Sequence, residues 1–99
     1  MSRFFLSFDA HNATPETYDE IKSILDKNFT QVEDGQEEST FYFDGEEPHV
    51  ELVRRRLECL FTPPLNITFT VIDLENGNKA QGESYNAIFD RLVKADGKK

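Results

Sequence analysis

Asp9, His11 and Asn12 follow directly on the apolar run Phe4-Phe5-Leu6-Ser7-Phe8. A carboxylate is a ligand for a hard divalent cation such as Mg²⁺ or Mn²⁺. An imidazole that titrates near neutral pH can serve as a general base, and an amide can contact a phosphate. Together these types would support general-base work by His11 beside a divalent cation held by Asp9, the candidate catalytic and metal-ligating carboxylate. Against it stands a plainer assignment, in which Asp9 forms a turn by binding the amides that follow it and His11 is a solvated loop residue. A second chemistry is charge alone. Glu33, Asp34, Glu37, Glu38, Asp44, Glu46 and Glu47 place seven carboxylates within fifteen residues. Such a set either keeps a loop solvated or enters the basic groove of a protein that handles nucleic acid, which requires complementary charge and no reaction.

The remaining polar types read as structural. Arg54, Arg55 and Arg56, with Arg3, are the basic cluster, but three consecutive helical positions span about 200° of the circumference. They cannot share one phosphate path, and pairing with Glu51, Glu58 or a second subunit is expected. His49 falls in the first turn of a helix, where the dipole disfavours a cation, so it is expected neutral. Cys59 is expected as a small helix residue next to the core.

The elements that must position these groups follow from periodicity. Residues 3–9 alternate and read as a buried central strand, with Asp9 at its carboxyl end. Thr14-Pro15-Glu16 starts a helix whose apolar stripe is Tyr18, Ile21, Ile24 and Leu25, ending near Asn28. Residues 29–32 read as a short strand, 33–38 as a charged hairpin loop and 39–43 as a third strand rich in aromatics. Glu46, Glu47 and Pro48 begin a second helix that buries Val50, Val53, Leu57, Leu60 and Phe61 and stops at Thr62-Pro63-Pro64. Ile67, Phe69 and Val71 alternate with Thr68, Thr70 and Ile72 in a strand over 67–74. Residues 75–82 read as a loop. Ser84 caps a last helix with Tyr85, Ile88, Phe89 and Leu92 as its stripe, before a flexible tail over 94–99.

Ninety-nine residues with nine Phe make one domain, over 1–93, with one modest core. A net charge of −8 opposes the phosphate backbone, so direct nucleic-acid binding is disfavoured. One cysteine gives no intramolecular disulfide, and no apolar run reaches the ~18 residues of a membrane span. The chain therefore reads as cytoplasmic, without a cofactor. Strand, helix, strand, strand, helix, strand and an added helix spell an α+β, ferredoxin-like βαββαβ sheet with two helices on one face plus a C-terminal helix. That order sets Asp9 near Ser39 or Thr40 and near Asn66, and puts Asp73 at the opposite edge. The uncovered face is expected to expose aromatics, Phe5, Phe41 and Tyr42 among them. With Tyr85 they form the interface of a homodimer or the seat of the last helix.

In this layout the strand closing on Phe5-Leu6-Ser7-Phe8-Asp9 resembles a family of small ferredoxin-like proteins. That family holds the smaller CRISPR spacer-integration subunit, the VapD toxins and the GhoS-type antitoxin. The resemblance covers residues 3–74 and implies a homodimer. It also implies a metal-dependent ribonuclease in which the strand-one aspartates of two subunits approach each other, a role that would fall to Asp9 with Mg²⁺ or Mn²⁺. The charge balance ranks the two functional readings. The first is a small acidic protein that binds and inhibits a protein partner, antitoxin-like or a phage-encoded inhibitor of a nucleic-acid enzyme; the metal-dependent endoribonuclease is the alternative.

Overall fold

The computed structural model describes residues 1–11, 13–62 and 65–96 and, in the last helix, the side chains of 87–89 and 91–93. Asn12 and the Tyr85 side chain, both singled out above, lie outside the described residues. The chain runs β1 (Ser2–Ala10), α1 (Pro15–Asn28), β2 (Thr30–Asp34), β3 (Thr40–Gly45), α2 (Val50–Leu60), β4 (Ile67–Asp73), β5 (Lys79–Glu83) and α3 (Tyr85–Asp96). The strands make one antiparallel sheet in the order β2-β3-β1-β4-β5. The fold is α+β, and no helix among the described residues is long and apolar enough to cross a membrane.

Alternation in β1 sends Phe4, Leu6 and Phe8 to one face, where Phe41, Phe43, Ile67, Phe69 and Val71 join them. Ile21 and Leu25 of α1 and Val50, Val53 and Leu57 of α2 close over that face and complete a single core. Phe41, expected on the uncovered face, is fully buried here, because its register partner is Leu6. It packs against Tyr18 and Phe8 at ring-centroid distances of 4.9 and 6.0 Å. The uncovered face carries Phe5 and Tyr42, half-buried and opposite each other with ring centroids 5.1 Å apart, and Ile72 next to Phe5.

Several element boundaries differ from the expected ones. β2 continues through Glu33 and Asp34 because of a one-residue bulge between Thr30 and Glu33, where Gln31 adopts φ 51°. Without the extra residue, alternation would turn Val32 to the open face and Glu33 into the core. With it, Val32 packs on the core, Glu33 faces out and Asp34 lies on the α1 side. α2 starts at Val50 with His49 as its cap, so Glu46, Glu47 and Pro48 precede the helix. Cys59 is exposed, not set against the core, since the buried stripe of α2 runs along Val50, Val53 and Leu57.

The stretch read as a loop over 75–82 contains most of β5. Only Ala80 and Gly82 of that strand face the core, so it lacks the large apolar residues that mark a strand. The small residues are required by Phe69, whose ring edge packs against Phe61 and whose body occupies the space a Cβ on Gly82 would need. α2 guards the free edge of β5: Glu58 Oε2 accepts the Glu83 N–H at 3.1 Å, and Arg54 holds both Glu58 and Glu51. Ser84 caps α3 as expected. Its buried Oγ accepts from Ile67 N–H at 2.9 Å and Ala87 N–H at 3.4 Å, and α3 remains helical through Asp96, past the expected start of the tail.

Candidate functional site

Asp9 is carried to the end of the sheet by β1, opposite Thr68 of β4, and is exposed. The Phe8 N–H donates to the Ser39 carbonyl at 3.0 Å and the His11 N–H to the Asn66 carbonyl at 2.9 Å. The expected neighbours of Asp9 are thus in place, and Asp73, paired with Phe4, is at the other end. Asp73 is a buried turn residue: its carboxylate accepts from Glu75 N–H at 2.9 Å and Asn76 Nδ2 at 3.0 Å. These bonds, that from the Asn76 side chain foremost, hold its pKa below the ordinary carboxylate value.

Asp9 lies where two grooves meet. The first has a volume of about 810 Å³ and runs between the end of β1, the first turns of α1 and the β2–β3 hairpin. Asp9, Asp19, Asp34, Glu37 and Glu38 line it, with Phe8, Ala10, Pro15 and Tyr18 as apolar floor, and no Lys or Arg is among the described lining residues. Local structure explains this convergence. The β2 bulge turns Asp34 toward α1, where it accepts from Tyr18 Oη at 3.1 Å and pairs with Lys22 at 3.3 Å. Burial first, and then the Asp34 carboxylate, push the Tyr18 hydroxyl pKa up. Gly35 N–H and the Thr40 carbonyl, at 2.9 Å, close the hairpin, and Thr40 Oγ1 donates to the Glu37 carbonyl at 2.7 Å, which fixes the loop bearing Glu37 and Glu38.

The second groove, about 630 Å³, passes along β1, β4 and β5 and reaches Arg54 and Glu58 of α2. Ser7, Asp9, Thr68, Thr70 and Gln81 line it together with Ile88 and Arg91 of α3. Arg91 is held at its rim by Glu83, 3.0 Å away.

The expected site residues are only partly brought together. Glu37 and Glu38 are exposed at the hairpin tip with Asp34 close by, whereas Asp44 lies in the last part of β3, and Glu46 and Glu47 follow that strand, at the other end of the strand pair. Asp44 and Glu47 are also engaged in packing: Arg3 donates to Asp44 at 2.9 Å, and Arg56 is bonded to Glu47 while stacking on Phe29 at 4.5 Å. Glu33 pairs with Arg3 on the open face at 3.2 Å. His11 is exposed and lines neither groove. Among the described residues no three His, Cys, Asp or Glu side chains gather in a metal-binding group. Sequence reasoning passed over Asp19 and treated Tyr18 as apolar filling. Helical spacing held the signal, since positions 15, 18 and 19 share the face of α1 that begins beside the end of β1. Comparison with protein-family models, curated proteins and solved structures finds no match to this chain.

Proposed function

We propose that the chain is a non-catalytic interaction protein that binds a basic protein partner in the groove between α1 and the β2–β3 hairpin. The observation that carries this reading is the lining of that groove, five carboxylates over an apolar floor with no described Lys or Arg in the lining, Lys22 pairing with Asp34 from outside it. Lysine or arginine side chains would meet the carboxylates while their methylene stems cover Phe8 and Tyr18. The partner class is a protein whose basic surface otherwise holds nucleic acid, which makes the chain an antitoxin-like or phage-encoded inhibitor acting in the cytoplasm. The order β2-β3-β1-β4, with α1 and α2 on one face, supports a ferredoxin-like core to which β5 and α3 are additions.

The test uses the whole chain and a lysine- and arginine-rich probe peptide in stopped-flow mixing. Replacing Asp19, Glu37 and Glu38 with their amides slows association several-fold and flattens its salt dependence, because the Debye length falls from about 10 Å at 0.1 M salt to about 3 Å at 1 M. The melting temperature stays unchanged, as these side chains are exposed. A rate insensitive to salt and to all three changes overturns the proposal. The ribonuclease alternative has one observation in its favour, the exposed Asp9 carboxylate at the end of the central strand. It requires Mn²⁺-stimulated RNA cleavage that Asp9→Asn abolishes; the interaction reading expects no such cleavage from either protein.

A further inference from the structure

The turn between β4 and β5 holds a chemically reactive pair. Asn76, the one asparagine of six that is followed by glycine, stands there beside Gly77. The side-chain carbonyl carbon of an asparagine is open to attack by the backbone nitrogen of the next residue, and a Cβ on that residue crowds the approach; glycine has none. Gly77 adopts φ 74°, and nothing lies within 4 Å of the place a Cβ would take. Both residues are exposed, so water reaches them. Against this, Asp73 holds both reacting groups. Its backbone carbonyl accepts from the Gly77 N–H, the attacking nitrogen, at 2.7 Å. Its carboxylate accepts from Asn76 Nδ2, the leaving amide, at 3.0 Å, and from the Asn76 N–H at 3.4 Å. Attack requires the nitrogen to give up that proton and swing to Cγ of Asn76, so the closed turn points the two groups at Asp73 and not at each other.

We infer that Asn76 is a self-modification site, at which the Gly77 nitrogen displaces the side-chain amide, and that Asp73 keeps the site unreactive while the β4–β5 turn is closed. A bond forms between the Gly77 nitrogen and Cγ of Asn76. The Cγ–Nδ2 bond breaks, and ammonia leaves with the proton from the Gly77 N–H. Water then opens the five-membered imide at either carbonyl and leaves aspartate or isoaspartate at position 76, with no oxidant, reductant or second protein required. The reaction runs from the open turn and is proportional to its population. It is also one-way. The product carboxylate has no donor for Asp73, which is only 3 % exposed, and sets a like charge against it, whereas Arg55 and Lys79, which border the same cavity, are exposed to solvent. Isoaspartate further adds one carbon to the main chain of a loop whose length is set by the Asp73 N–H donating to the Asn78 carbonyl at 2.8 Å. The turn thus counts its own openings. The site is independent of the acidic-groove reading, since that groove includes no residue of this turn.

The test incubates the full chain in mildly alkaline buffer and follows ammonia release together with mass spectrometry of the peptide that contains residue 76; electron-transfer fragmentation tells aspartate from isoaspartate. Folded wild type reacts at residue 76 at least about tenfold more slowly than the same chain unfolded in urea, and Asp73→Ala, still folded, reacts about tenfold faster than folded wild type. Ile21→Val or Leu25→Val, core changes in α1 remote from the turn, provides a control matched to Asp73→Ala in melting temperature and leaves the rate within about twofold of wild type. Equal rates for folded and unfolded wild type overturn the proposal. So does an α1 control that reacts as fast as Asp73→Ala, because global unfolding would then be what exposes the site. If Asp73→Ala fails to fold, hydrogen exchange of the wild-type Gly77 amide decides. Protection that falls in step with rising ammonia release in sub-denaturing urea supports the latch, and exchange at the rate of a free amide overturns it. Asn76→Asp reproduces one product and melts a few degrees below wild type; an equal melting temperature overturns the one-way consequence.

Discussion

At the scale of single residues, the side chains divide into those whose partners were legible and those whose direction was not. The pairing of Arg54 with Glu51 and Glu58 follows from helical spacing of three and four, and the structure has both. Phe41 is buried against expectation because in a strand one residue of slippage exchanges the two faces, and Cys59 is exposed because it stands about 200° around α2 from the buried Leu57. Asp73 permits a prediction with a sign. Its folded-state pKa is lowered, so its contribution to stability is fully present above the ordinary carboxylate value and is lost as pH falls through the lowered one. Asp73→Asn is therefore less stable than wild type at neutral pH, and the difference shrinks below about pH 4. Thermal melts of both proteins across that range check this; a difference constant with pH would show that the turn does not depend on the charge.

At the scale of elements, β1, α1, β3, α2 and β4 were legible because each has a long apolar period and a capping or turn signal. β5 and the extension of β2 were not. β2 is interpretable only once the bulge at Gln31 is known, and β5 has small residues where a strand usually has large ones. The candidate groove was half legible: its hairpin carboxylates stood out as a charge run, while Asp19 and Tyr18 join them only through the packing of α1 beside the hairpin. Phe69 over Gly82 gives the prediction at this scale. Gly82→Ala costs about 1–3 kcal/mol, because the new methyl enters the ring's space. Phe69→Leu vacates that space, so the double variant is more stable than the sum of the single changes implies. Chemical denaturation of the four proteins measures the coupling, and strict additivity would mean that β5 shifts aside instead.

At the scale of the whole molecule, a net charge of −8 on 99 residues is self-repelling, and several ion pairs that offset it are exposed on at least one side, as with Glu33 and Arg91. Screening then relieves more repulsion than the attraction it weakens. Raising sodium chloride from about 0.01 M to about 0.15 M, where the Debye length shortens from about 30 to about 8 Å, should raise the melting temperature by a few degrees; a fall would show that the ion pairs dominate. The position of β1 has a different consequence, in time. The middle strand of the sheet precedes both of its neighbours, β3 and β4, along the chain. A ribosome working at about 5–20 residues per second therefore exposes Phe4, Leu6 and Phe8 for several seconds before residue 73 is made. During that interval the nascent protein is a sticky ribbon with two unpaired edges, and its safe delivery depends on α1, the next segment to emerge, or on a chaperone shielding it until β4 arrives.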